Sequence, residues 1–517
     1  MPVRISRAAV MLVCAAIAGC ASMNGLAPQT TSRDPNALAS ARTLSDAKID
    51  AAAWPSTDWW KAFDDPQLDR LIEEALAGSP TLSIAAARTR KAQALAQESR
   101  SALSPRLDAS ASTTRERFPE HGLIPPPFAA TTQTLSDLQL SLSWEIDFWG
   151  KNRSAYEAAL GGARASEVDA YAARLALSTN IAQVYVQLQR AYLQLDVARQ
   201  TLASRERIAA LTRDRNAAGI DSRLEVKQAE AALPATREDI AALEERIALA
   251  RNAIAALMGA GPDRGLAISR PTATALTRIT LPSKVPAELI GRRPDIVAQR
   301  WRVEAASKDI ASQKGAFYPN VNLIAFVGLQ SLGSANLLSA ASRTLGVTPA
   351  VTLPIFDAGR LRAELAGKDA DYDVAVGQYN QALANAMREV VDQLVSFRSL
   401  DEQRAQQRIA ATTTREAYGL ALLRYREGLG NYLQVLSAEQ PMLAQQGLDA
   451  DLRARALELS INLVRALGGG YQPGQTSAAG RSPGANSAPL GGSAAAKPQA
   501  RGDDTTTQVS MTTGTTQ

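Results

Sequence analysis

The chain has 517 residues, with 56 Lys and Arg against 51 Asp and Glu, a formal charge of +5, and 5% aromatic residues. The basic excess is thin and scattered, so nothing tracks a phosphate backbone and no nucleic-acid partner is expected. One histidine, His121, and two cysteines, Cys14 and Cys20, exclude HExxH zinc chemistry, a zinc knuckle and a disulfide framework. No catalytic residue, cofactor or metal is expected, and the chain does not read as an enzyme.

Arg4 and Arg7 precede an apolar run from Ala8 to Ile17, followed by Ala18, Gly19 and Cys20. A charged start, a ten-residue apolar stretch and small residues form an export signal, too short to span a bilayer. Ile17-Ala18-Gly19-Cys20 resembles a bacterial lipobox, so residues 1–19 are expected to be removed and Cys20 to be the lipidated N-terminus. After Cys20 no apolar run approaches the ~20 residues of a membrane helix, so a spanning structure has to be a β-barrel.

The mature chain repeats itself. Gly150 aligns with Gly359, Gly219 with Gly428 and Gly259 with Gly468, each pair 209 residues apart. Around the middle pair, Gly219-Ile220 with Leu224, Val226, Ala229 and Glu230 meets Gly428-Leu429 with Leu433, Val435, Ala438 and Glu439. Pro80 matches Pro294 and Pro105 matches Pro319 at an offset of 214. The domain plan is residues 20–79 as N-terminal linker and equatorial segment, 80–261 as first repeat and 262–291 as equatorial linker. Residues 292–468 form the second repeat, and 469–517 an equatorial end with a tail.

Within each repeat a helix comes first and a strand pair follows. Leu138, Leu140, Leu142, Trp144 and Ile146 alternate with polar neighbours; Val321 to Leu329 and Val347, Val351, Leu353 and Ile355 give further alternating sets. A weaker set runs from Arg106 to Arg115. Strands of about ten residues suit a tilted barrel with lipid outside and water inside. Four strands cannot close a barrel, whereas three copies give twelve, enough for a wet channel. Lys151 to Ala218 has no proline and predicts a helix spanning ~100 Å. Tyr372, Val376, Tyr379, Leu383, Ala386, Val390 and Phe397 keep the 4-3 spacing of a coiled-coil seam. Ser222–Met258 and Tyr432–Leu467 should return antiparallel after short glycine turns. From Gly474 the Gly, Ser, Thr, Ala and Pro composition predicts a disordered tail.

Two strand hairpins alternating with two long helical hairpins behind a lipoprotein signal resemble the outer-membrane-factor family, the TolC-like efflux ducts. Trp59-Trp60-Lys61-Ala62-Phe63-Asp64-Asp65-Pro66 and Arg292-Arg293-Pro294-Asp295-Ile296, preceded by Leu281-Pro282 and Leu289-Ile290, look like signatures of its lipoprotein branch. That branch serves resistance-nodulation-division multidrug pumps. The resemblance implies a mixed α+β membrane protein: a homotrimer with a twelve-stranded barrel in the outer membrane, a periplasmic α-helical barrel and an equatorial collar. It further implies passive conduction of drugs or other small molecules, with a periplasmic adaptor, an inner-membrane transporter and outer-membrane lipid as partners. An outlet for type I protein secretion is the same-fold alternative, and a soluble periplasmic coiled coil the alternative of another class.

The functional positions expected are the hairpin tips. Gly219, Ile220, Ser222, Gly428, Leu429 and Asn431 are placed toward the adaptor, and Arg213, Arg215, Asp221, Arg424, Tyr425 and Glu427 are candidates for closing the aperture. Relatives often carry an Asp in the second tip where this chain has Gly430, leaving Asp221 or Glu427 to substitute.

Overall fold

The computed structural model describes residues 22–34, 54–273 and 291–472. The export signal, Cys20, the Leu281–Ile290 part of the mid-chain signature and the tail from Gly474 lie outside the described residues.

Asp65 opens the first helix. Its carboxylate accepts from the backbone amides of Gln67 and Leu68, with Pro66 at the first helical position, where no amide is needed. Helix α1 (Pro66–Gly78) is followed by α2 (Pro80–Ser101), then strands β1 (Arg106–Arg117) and β2 (Thr132–Ile146). The 67-residue α3 (Lys151–Ala217) and its return α4 (Arg223–Leu257) complete the first repeat. A short helix, α5 (Pro262–Leu266), lies in the link. The second repeat then supplies α6 (Pro294–Gly315), β3 (Asn320–Leu332), β4 (Arg343–Thr352), α7 (Arg360–Arg426) and α8 (Tyr432–Ala466). The paired glycines of the repeat all have positive φ, from 73° to 88°, a region that costs an L side chain strain.

Both long helices keep the 209-residue offset at each end. The expected seam is buried: Val376 is fully enclosed, and Leu383, Ala386 and Val390 are fully enclosed against Ile296 of α6 and Leu463 and Ala466 of α8. Truncating one such Leu typically costs about 2–5 kcal/mol. A second core sits mid-way along α3. There Trp59, Trp60 and Phe63 and the apolar face of α1 pack on Leu177, Ile181, Tyr185 and Leu188, with Ile254 and Ile268 closing the other side. Asp65 ties this girdle together, accepting from the Tyr185 hydroxyl (2.8 Å) and the Thr272 amide (2.9 Å).

The strands form one antiparallel sheet in the order β1-β2-β3-β4, so the two hairpins join through β2 and β3. Pairing places Leu107, Leu142, Ala325 and Val347 in one cross-strand row and Ala109, Leu140, Val327 and Leu345 in the next, all on one face. The opposite face carries Asp108, Ser110, Ser141, Gln139 and Thr344, with Phe326 over Gly346, Ile324 and the Leu135–Leu332 pair as its apolar exceptions. Strand β4 differs from expectation. It begins at Arg343 and ends at Thr352, so Leu353 and Ile355 fall outside it; Pro354, lacking an amide donor, cannot extend the ladder. Among the described residues no helix is long and apolar enough to cross a membrane.

Candidate functional site: the hairpin tips

Each long helix ends in the same way. The amide of Ile220 donates to the Arg215 carbonyl (2.9 Å) and that of Gly219 to Asn216 (2.9 Å); Leu429 and Gly428 repeat this with Arg424 (2.8 Å) and Tyr425 (3.1 Å). These paired bonds around a left-handed glycine are the Schellman ending. Ser222 and Asn431 then cap the returning helices, Ser222 in a capping box with Glu225 and Asn431 by accepting from the Gln434 amide (3.0 Å).

Across the two tips lies a buried polar cluster. Arg215 donates through Nε to Asp221 Oδ2 (2.9 Å), through Nη2 to Asp221 Oδ1 (3.3 Å), and through Nη1 to the Tyr425 carbonyl (2.9 Å). Its guanidinium lies 4.5 Å from the centre of the Tyr425 ring, and the Tyr425 hydroxyl donates to Asp221 Oδ2 (2.5 Å). Thr212 Oγ1 meets the same hydroxyl at 2.9 Å. Tyr425 and Thr212 are fully buried and Arg215 is 8% exposed. Ile208, Ala209, Tyr432 and Val435 supply the apolar surround.

Burial pushes Asp221 up, but the hydrogen bonds from Arg215 and Tyr425 outweigh it, and its carboxyl sits below the usual Asp value. Burial, with that carboxylate alongside, pushes the Tyr425 phenol up to about 12. The cluster therefore holds a charged pair and a neutral phenol at neutral pH, joining residues of both repeats in a low-dielectric setting.

Of the six aperture candidates, the fold brings together Arg215, Asp221 and Tyr425. Arg213, Arg424 and Glu427 are exposed; Arg213 and Arg424 bond only to carbonyls of their own hairpins, Ala209 and Leu429. Of the two acidic substitutes, Asp221 is the one in the cluster. Sequence reasoning missed Thr212 and a second tier higher up: Ser204 with Tyr418 (3.1 Å) and Arg205 with Glu439 (2.9 Å). A signal existed. Thr201, Arg205, Ile208, Thr212 and Arg215 follow the 4-3 seam spacing, so polar residues occupy core positions of α3.

At the extreme ends the tips are apolar and open: Ile220 and Leu224 are each 62% exposed, Leu429 70% and Leu433 58%. The two repeats thus offer matching exposed pairs.

The family profile described as "Outer membrane efflux protein" matches residues 71–260 and 285–469, both repeats in full. The chain belongs to this family. Among curated relatives, the fusaric acid resistance protein FusA of Burkholderia cepacia is 41% identical over 365 residues, 70% of this chain and 69% of that protein. The multidrug resistance outer membrane protein MdtP of Escherichia coli K12 is 32% identical over 441 residues, covering 84% and 90%. Among solved structures, the outer membrane protein VceC of Vibrio cholerae superposes with a TM-score of 0.77 at 36% identity, over 81% of this chain and all of that one. The α+β architecture is the one used by trimeric outer-membrane channels, and this efflux protein is an outer-membrane channel component.

Proposed function

We propose that three copies of this efflux protein form one duct in a tripartite pump, with the tip cluster as its periplasmic gate. The sheet carries the reading. Its β1 and β4 edges are unpaired within the described chain, and its apolar row is exposed, Val327 at 56% and Leu345 at 79%. Free edges invite pairing with another strand and a continuous apolar face needs lipid, so three sheets joined edge to edge give a twelve-stranded barrel. The long helices then continue into the periplasm, and their tips converge.

The exposed Ile220/Leu224 and Leu429/Leu433 pairs suit docking by a periplasmic adaptor, which links the duct to an inner-membrane resistance-nodulation-division transporter. Drugs or other small molecules pass through without chemistry. Lipid anchoring at Cys20 is supported by the segment 22–34. Arg362, in the first turn of α7 just past the sheet, donates to the carbonyls of Ser22 and Asn24, and Met23 and Leu26 pack beside Leu361 and Leu365. Cys20→Ser abolishes lipid labelling on this reading.

The test is purification in detergent followed by reconstitution in planar bilayers. A trimer that conducts supports the duct; a stable monomer that stays soluble without lipid overturns it.

A further inference from the structure

The outgoing limbs α3 and α7 contain no proline, whereas each returning limb contains one, Pro234 in α4 and Pro441 in α8. Both lie roughly 15 Å from the tips at ~1.5 Å per residue. A proline has no amide, so the carbonyls four residues earlier, Glu230 and Ser437, lack their helical donors, and the ladder is weakest there.

The same level holds the buried ion pair of the second tier. Arg205 donates from Nε (3.1 Å) and Nη2 (2.9 Å) to Glu439 Oε2, and from Nη1 to Thr236 Oγ1 (2.8 Å) and the Ala232 carbonyl (3.4 Å). It therefore grips α4 on both sides of Pro234 and α8 two residues before Pro441. The Glu439 side chain is 5% exposed and that of Arg205 15%. Beside the pair opens a crevice of about 350 Å³ lined by Thr201, Arg205, Thr236, Leu243, Leu443 and Gly447. The crevice opens to solvent, which leaves a limb room to shift there.

We infer that Pro234 and Pro441 are the hinges on which the tip-proximal ends of α4 and α8 swing, drawing Asp221 at the head of α4 away from Arg215 of α3 and Tyr425 of α7, and that Arg205 and Glu439 are positioning residues that clamp both limbs at hinge level. The inference rests on the gating reading above. Below the clamp α4 is tied through Asp221 to Arg215 of α3 and Tyr425 of α7; above it α4 and α8 are locked into the girdle core. Opening is then confined to the lowest turns, while the struts α3 and α7 stay straight.

The experiment uses the full-length trimer with and without Tyr425→Phe, which unlocks the tip. Spin labels are introduced through Arg223→Cys and Gln434→Cys below the hinges, and through Leu249→Cys and Leu448→Cys above them. Unlocking should broaden the lower distance distribution and leave the upper one sharp. Adding Pro234→Ala and Pro441→Ala restores two amides to the ladders and should cut open-channel occupancy of the unlocked trimer by roughly threefold to tenfold. Adding Glu439→Gln should let the upper pair broaden as well. Equal movement of both label pairs, unchanged occupancy in the proline variants, or a sharp upper pair in Glu439→Gln overturns the hinge and clamp. No conductance change with Tyr425→Phe alone sinks the gate itself, and the hinge with it.

Discussion

Tyr425→Phe is the sharpest probe of the tip cluster, because it removes one oxygen and leaves the ring stacked on Arg215. The lost hydroxyl donates to Asp221 at 2.5 Å and meets Thr212 at 2.9 Å. Thr212 keeps its bond to the Ile208 carbonyl (2.9 Å) and Asp221 keeps Arg215, so no buried charge is left unpaired. A hydrogen bond to a charged group contributes about 1.5–3 kcal/mol. If three tips open together, the closed state loses roughly 4.5–9 kcal/mol. Inverting a 1:99 equilibrium takes about 5.5 kcal/mol, so the variant should spend much of its time open. Single-channel recording in planar bilayers reads this directly, and sensitivity to large antibiotics reads it in cells. The exposed positions set the control: Arg213→Ala, Arg424→Ala and Glu427→Ala should conduct as wild type. Intact Tyr425→Phe trimers with wild-type conductance would refute the reasoning, as would equal opening in the control.

Acid should also open the tip. Asp221 sits below the usual value in the closed cluster, so its contribution is present above the ordinary Asp value of ~3.9 and is lost as pH falls through the lowered one. Open probability should rise below about pH 4, and Asp221→Asn should flatten that limb of the profile. Tyr425 has the opposite sign: its contribution persists below pH ~10 and is lost as pH rises through about 12. In the sheet, Leu140→Arg on the apolar face should cost ~2–4 kcal/mol of folding stability and Ser141→Arg far less, measured by refolding into lipid; equal tolerance would contradict the register. In the girdle, Asp65→Ala removes a helix cap and strands the Tyr185 hydroxyl and the Thr272 amide. A loss of about 3–5 kcal/mol is expected in chemical denaturation, with Asp65→Asn losing less.

Much of this architecture is written locally, and therefore readable in the chain. The 209-residue repeat marks both ends of all four hairpin helices, because its glycines take the left-handed backbone that flanks each helix, a conformation least costly for glycine. Strand alternation and the α7 seam are likewise properties of neighbours along the sequence. The polar side of the seam was just as local at Arg205, Thr212 and Arg215, but a helical period says which face a residue occupies and not what it meets there.

Partner choice came from the tertiary structure alone. Tyr425 and Asp221 are 204 residues apart, and their bond exists because the two hairpins pack side by side with matching tips. The same packing leaves Arg424 and Glu427, the neighbours of Tyr425, in solvent. The joining of β2 to β3 and the seating of Trp59, Trp60 and Phe63 on the middle of α3 are long-range contacts of the same kind. Burial is what turns such contacts into interactions of consequence. A carboxylate, a guanidinium and a phenol on a wet helix contribute tenths of a kcal/mol; once they are enclosed together, removing one charged partner costs about 3–5 kcal/mol, and enclosure is fixed by the fold rather than by any stretch of the chain.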